Sequence, residues 1–151
     1  MKSKQINSTG EGQRTYAIIM DSGDEAIRSL TEFAREQHLT ASQFTAIGAF
    51  SEAVLGYFDF TIKEYKENKV SEQVEVLVLA GDISLDKGEQ KVHAHVVVGF
   101  PDGTTKGGHL LSGVVRPTLE VMLTESPAHL YRKYDEESGL TLIDTSAGQA
   151  S

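Results

Sequence analysis

Apolar and polar positions change period several times along this chain, and each change marks an element. Arg14-Thr15-Tyr16-Ala17-Ile18-Ile19-Met20 reads as a first strand. Asp21, Ser22 and Asp24 then offer turn and helix-cap side chains. Ile27, Leu30, Phe33 and Ala34 follow at helical spacing, with Arg28, Glu32, Arg35 and Glu36 outside. This predicts an amphipathic helix lying on a sheet and ending near His38, whose side chain suits a helix C-terminus. From residue 43 to residue 84 the pattern is that of strands: 44–50, 53–58, a charged segment around Lys63-Glu64-Tyr65-Lys66, and 74–84. The turns between them are short, which favours antiparallel neighbours. Leu119, Val121 and Leu123 alternate with Glu120 and Thr124 in a further half-buried strand. Ser126-Pro127 resembles a helix start, which predicts a short C-terminal helix carrying His129, Leu130, Tyr131 and Tyr134 and stopped by Gly139. Leu140-Thr141-Leu142-Ile143 closes the sheet. The expected fold is therefore α+β: a mostly antiparallel sheet with one main helix packed on it and a short helix near the end. Residues 1–13 read as a flexible arm, 14–144 as one domain, and 145–151 as a flexible tail.

Within this pattern one segment carries chemistry. In Lys91-Val92-His93-Ala94-His95-Val96-Val97-Val98-Gly99-Phe100, strand alternation sends His93 and His95 to one face, about 6.6 Å apart. Val92, Ala94, Val96, Val98 and Phe100 go to the other, apolar face. Pro101-Asp102-Gly103 fits a three-residue hairpin loop with glycine at the left-handed position. That register opposes Phe100 to Thr104 and, counting back, His95 to His109. Three imidazoles then converge, provided no bulge at Gly107-Gly108 turns His109 to the other face. Such a trio suits a three-histidine metal site with an open position for water or a ligand, and Zn, Cu, Fe and Ni all accept neutral imidazole. The competing reading has the histidines hydrogen-bonded across a subunit interface or pocket.

Composition narrows the functional classes. Zero cysteines remove disulfide, thiolate-zinc and cysteine-nucleophile chemistry, and fit a reducing compartment. Fourteen basic against twenty-two acidic side chains give a net charge of −8, which repels a phosphate backbone. Protein or small-molecule partners are expected rather than nucleic acid. The first residues lack the apolar stretch of a signal peptide and no run approaches a membrane span, so the chain reads as soluble and cytoplasmic. Ser51, Ser84 and Ser112 sit in no Gly-x-Ser-x-Gly pattern. Gly48, Gly56, Gly81, Gly107, Gly108 and Gly113 read as bulges or close backbone approaches; none opens a helix as a phosphate-cradling loop must.

Taken together, Gly48-Ala49-Phe50-Ser51, Ala53-Val54-Leu55-Gly56, Val74-Glu75-Val76-Leu77 through Gly81-Asp82-Ile83-Ser84, His93-Ala94-His95, Gly107-Gly108-His109-Leu110 and Val115-Arg116-Pro117-Thr118-Leu119-Glu120 resemble the plant and prokaryote conserved (PPC) domain family. The resemblance implies an α/β domain on a curved antiparallel sheet, assembled as a homotrimer. It also implies zinc or another divalent transition metal on His93, His95 and His109, as in some stand-alone prokaryotic members. Plant members carry AT-hooks; this chain has no Arg-Gly-Arg-Pro and no basic arm beyond Lys2 and Lys4, and its stretch at Gln73-Val74-Glu75 lacks the plant version's Gly-Arg-Phe start. Direct DNA binding is accordingly not expected. In the family the patch holding Arg116 and Glu120 lies near the histidines, where a carboxylate would orient an imidazole or act as base and an arginine would clamp an anion. An Arg–Glu pair at a strand end or trimer contact is the favoured alternative for these two. Three functions thus stand: a trimeric domain with a metal or small-ligand pocket, a metal-dependent hydrolase of a small molecule with Glu120 as base, and a DNA-associated assembly module whose recognition comes from another chain.

Overall fold

Two strands much longer than the sequence pattern suggested organise the molecule. A computed structural model describes residues 1–147. Its elements are β1 (Lys2–Ser8), β2 (Arg14–Asp21), α1 (Ala26–Glu36), β3 (Ala41–Asp59), β4 (Glu64–Val70), β5 (Val74–Asp86), β6 (Glu89–Gly99), β7 (Thr105–Glu125), β8 (Tyr131–Asp135) and β9 (Leu140–Asp144). The separate strands read at 44–50 and 53–58 are one strand, β3, and those read at the hairpin and at 119–125 are one strand, β7. Both run through irregularities: the β3–β7 register shifts between Gly48 and Phe50, Phe50 and Glu52, and Val54 and Leu55. A bulge lets a strand bend without ending, and the sequence signal of a bulge resembles that of a turn.

That bending closes the sheet. β3 pairs with β5, β5 with β6, β6 with the start of β7, and β7 with β3 along most of its length. Such a circuit of pairings is impossible in a flat sheet. β2 adds to the far half of β7, β1 to β2, and β4 to the far half of β3, all antiparallel. Inward side chains form a continuous core in which Ile18, Met20, Phe50, Leu79, Ile83, Leu119 and Leu123 are fully buried. Helix α1 contributes Ala26, Leu30, Phe33 and Ala34 to it, and Phe33 meets Tyr16 edge to face at 5.3 Å. Its cap is Glu25, just past the Asp21–Asp24 stretch that offered turn and cap side chains: the carboxylate accepts from the backbone N–H groups of Ile27 and Arg28 at 3.1 and 2.7 Å and from that of Gly113 at 3.1 Å. Asp24 instead accepts from the Asp21 backbone at 2.9 Å. At the other end His38 has φ 52° and its backbone N–H donates to the Arg35 carbonyl oxygen at 3.2 Å, so the main chain makes the closure assigned to its side chain.

Two terminal expectations are corrected. Residues 2–8, read as part of a loose arm, pair with β2 as β1; every side chain in that strand is exposed, so it carries no apolar alternation to announce it. The expected C-terminal helix is instead the hairpin β8–β9, with β8 docked in parallel on the end of β5, and His129 lies in the loop before it. The Ser-Pro signal failed because the backbone there pairs outward: Ser126 N–H donates to the Ala41 carbonyl oxygen at 3.0 Å and Leu130 N–H to that of Thr40 at 3.1 Å, leaving no free turn to start a helix. Residues 145–147 form a turn, and the rest of the expected tail, 148–151, lies outside the described residues.

Glu125, at the end of β7, is a buried carboxylate. It accepts from the Thr40 N–H at 2.8 Å, the Ala41 N–H at 3.2 Å and the Ser42 hydroxyl. Glu125→Ala leaves these donors without partners, and a loss of about 3 kcal/mol is expected in chemical denaturation. A loss below about 1 kcal/mol would show that water replaces the carboxylate.

Candidate metal centre

The β6–β7 turn is built as its residues dictate. Gly103 has φ 82°, the Gly103 N–H donates to the Phe100 carbonyl oxygen and the Phe100 N–H to that of Thr104, both at 2.9 Å. Asp102 accepts from the Thr104 N–H at 2.9 Å and from its hydroxyl at 2.7 Å. The register then runs Gly99↔Thr105, Val98↔Lys106, Val97↔Gly107, Val96↔Gly108 and His95↔His109. No bulge intervenes at the two glycines, and Val92, Ala94, Val96 and Val98 are buried as expected. His93, His95 and His109 share one face, where one nitrogen from each lies within 4.8 Å of the others. Their ring centres are 5.1, 5.2 and 5.3 Å apart, a nearly equilateral triangle.

Several groups around this triangle escaped the sequence reading. Asp82 stands opposite His93 on β5, with its Oδ2 3.3 Å from His93 Nδ1. Arg132 Nη2 donates to Asp82 Oδ1 at 2.6 Å, and the Ser84 hydroxyl donates to the same oxygen at 3.1 Å. Tyr65 on β4 lies against His109, ring centres 4.9 Å apart. Asp82 was legible in principle. Asp86-Lys87-Gly88-Glu89 is a two-residue turn with φ 52° at Lys87 and 86° at Gly88, and a register counted back from it opposes Asp82 to His93. Arg132 gave no signal, because its segment reads as helix. Gly81 and Gly56 are glycines for closeness: a Cβ at Gly81 would meet the His93 carbonyl oxygen and the Phe44 ring, and one at Gly56 would come within 2.7 Å of the Tyr65 ring.

Burial favours the neutral form of two of these imidazoles. Burial, then the neighbouring His93 and His95 and Lys91, push His109 down to about 4. Burial and His93 also push His95 below the ordinary histidine value. Burial alone would raise Asp82, yet the hydrogen bonds from His93, Arg132 and Ser84 outweigh it and hold the carboxyl below its usual range. In metal-free protein the His109 C2–H resonance is therefore expected to stay flat from pH 8 to about 5 and to move only near pH 4. Below the unfolded histidine value of about 6.5 the unfolded chain takes up this proton first, so His109 draws down stability as pH falls from there toward 4. A midpoint near 6.5 in the NMR titration contradicts the packing.

Glu120 and Arg116 are exposed and belong to another part of β7. Glu120 opposes Ile19 and Ile47, whereas His109 opposes His95 and Gly56. Eleven positions along β7 separate Glu120 from His109 and seven separate Arg116 from it, and neither is opposed to a histidine in any strand pairing. Neither residue belongs to the His93, His95 and His109 group. His129 is also elsewhere, its Nδ1 2.8 Å from the Thr40 hydroxyl.

Comparison with known proteins places the chain. The Plants and Prokaryotes Conserved (PCC) domain model matches residues 7–127. A PPC protein of Pyrococcus horikoshii shares the fold with a TM-score of 0.82 and 32% identity over 87% of this chain and 91% of that one. A protein of Archaeoglobus fulgidus described as metal-containing is 35% identical with a TM-score of 0.80, over 85% and 91% of the two chains. A Bacteroides thetaiotaomicron protein described as a candidate DNA-binding protein is 26% identical with a TM-score of 0.85, over 93% and 96%. The bifunctional protein GlmU of Synechococcus sp. (strain JA-3-3Ab) is 33% identical over 129 residues, 83% of this chain; the chain spans only 20% of that relative's length. By the matched span and by these likenesses, the chain belongs to the Plants and Prokaryotes Conserved domain family.

Proposed function

We propose that this chain holds one divalent transition metal ion, zinc or an ion of similar preference, on His93, His95 and His109, as a subunit of a cytoplasmic homotrimer. The observation that carries the reading is the spacing of the rings. Metal–nitrogen bonds of about 2.1 Å, ring centres about 1.1 Å behind the nitrogens and tetrahedral angles put the centres about 5.2 Å apart. The three rings stand 5.1 to 5.3 Å apart. His109 fits a ligand's role in two further ways: it is held neutral, and among the described residues its Nδ1 is the buried side-chain atom without a hydrogen-bond partner. Asp82 at His93 Nδ1 is the kind of carboxylate that orients a ligating imidazole. A bound ion of this type offers a fourth position to water or a small ligand and polarises what binds there.

The trimer rests on the outer face of the sheet. Met122, Thr45, Ala80, His95 and His109 form one row across five paired strand segments. Beside it Ile47, Val78 and Val97 are exposed, Ile47 by 61%, and Met122 by 49%. An apolar face of this kind on a sheet is the surface that copies of the chain cover. Glu120, opposite Ile47, borders it, and in this reading Glu120 and the exposed Arg116 serve the subunit contact. A hydrolase with Glu120 as base finds no support within a protomer, given the separation along β7. DNA recognition, where it occurs, comes from another chain, since the net charge of −8 opposes binding.

Elemental analysis of protein purified without added metal tests the reading. Close to one equivalent of a transition metal per chain is expected, with a mass from light scattering of about three chains. Metal-free protein that also fails to take up zinc, cobalt or nickel overturns the metal assignment, and a monomer overturns the trimer.

A further inference from the structure

We infer that Arg132, on the C-terminal hairpin, is a positioning residue for the ligand His93: it fixes the Asp82 carboxylate, which holds His93 as the Nδ1–H tautomer and leaves the Nε2 lone pair for the metal. The inference rests on the metal reading above and adds an element to it, because β8 and β9 lie beyond residues 7–127 of the family match.

The geometry separates Arg132 from an ordinary surface arginine. Its side chain is only 6% exposed and all three guanidinium nitrogens are engaged. Nε donates to the Ser84 hydroxyl at 2.7 Å, Nη1 to the Thr141 carbonyl oxygen at 2.9 Å and Nη2 to Asp82 Oδ1 at 2.6 Å. Ser84, having accepted from Nε, donates to the same Oδ1 at 3.1 Å. One carboxylate oxygen is thereby saturated, and Oδ2 is left for His93 Nδ1 at 3.3 Å. A carboxylate held by one contact can swing; this one is clamped on one oxygen and presents the other. The clamp is anchored on the fold, since β8 docks on β5 through Leu85↔Tyr131 and Asp86↔Arg132, next to the residues it holds. A buried ion pair is a poor source of stability compared with apolar side chains of the same volume, but a good source of fixed geometry. A proton on Nδ1 obliges the other nitrogen to carry the free lone pair, which is the form a metal requires.

The test uses the full chain, as wild type, Arg132→Met, Arg132→Lys and Asp82→Asn. Imidazole nitrogen NMR on metal-free protein near pH 8 reads the tautomer, and competition with a chromophoric chelator reads zinc affinity. Wild type is expected to show His93 as Nδ1–H. Arg132→Met and Asp82→Asn are expected to lose that preference and to bind zinc about 10- to 100-fold more weakly, with Arg132→Lys recovering part of both. A merely structural arginine would lower the denaturation midpoint and leave the tautomer unchanged. Zinc affinity within twofold of wild type and an unchanged His93 tautomer in Arg132→Met overturn this inference alone. Should that variant not fold, the same result in Asp82→Asn overturns it. Wild type that binds no zinc overturns the metal reading, and with it the purpose assigned to the clamp.

Discussion

Replacing His109 by alanine is expected to weaken zinc binding at least about 100-fold, measured by chelator competition at pH 7.5. Two imidazoles from one strand remain in that variant, His93 and His95, and they leave half of a tetrahedral ion's coordination to water. His109 is also held neutral down to about pH 4, so it carries no proton that an ion must displace at pH 7.5. In the proposed site its loss removes the nitrogen donor that β7 supplies and leaves donors from β6 alone. The fold should survive, because His109 borders the core without being part of it. His129→Ala, with its ring against Thr40, is the matched control and should leave affinity unchanged. Binding by the His109 variant within threefold of wild type would show that the ion, if bound, sits elsewhere.

The second large effect is on folding. Gly48→Ala is expected to cost about 3–5 kcal/mol, a large fraction of the roughly 5–15 kcal/mol that holds an ordinary domain folded, read as a lowered denaturation midpoint. Gly48 has φ 151°, and a Cβ built there meets the Thr118 carbonyl oxygen and comes within 2.9 Å of Leu119 Cα. Both obstacles are backbone, so no side chain can rotate to relieve them. The position sits at register shifts in the pairings of β3 with both β5 and β7. It lets β3 bend, and that bend is what permits the circuit of strands to close. Gly10→Ala is the control: nothing lies within 4 Å of its would-be Cβ, and a change within about 0.5 kcal/mol is expected. Equal denaturation midpoints for the two variants would mean that β3 bends without help from Gly48.

What the residues revealed in advance follows from how local each signal is. The histidine triangle was legible because Pro101-Asp102-Gly103 is a turn with one register, and alternation then carries His93, His95 and His109 to one face without further assumption. The helix was legible because Leu30, Phe33 and Ala34 must all face the core. The closed circuit was not, since it depends on β3 and β7 bending where Gly48 and its neighbours shift register, and a bent strand looks from sequence like two strands and a turn. Ser126-Pro127 misled for a related reason: a local helix signal lost to backbone pairing with residues 40 and 41, far away in the chain. That error concealed Arg132, whose contacts with Asp82 and Ser84 exist only because the segment is a strand on β5. Arg116 and Glu120 were assigned through likeness rather than register, and the register sends them along β7 away from the imidazoles.

Anomalous diffraction recorded above and below the zinc edge, on crystals grown from protein saturated with zinc, addresses the central claim directly. A single strong peak is expected per chain, about 2.1 Å from one nitrogen each of His93, His95 and His109. No peak among the three rings, or a peak held by other side chains while they stay more than about 3 Å from it, contradicts the account.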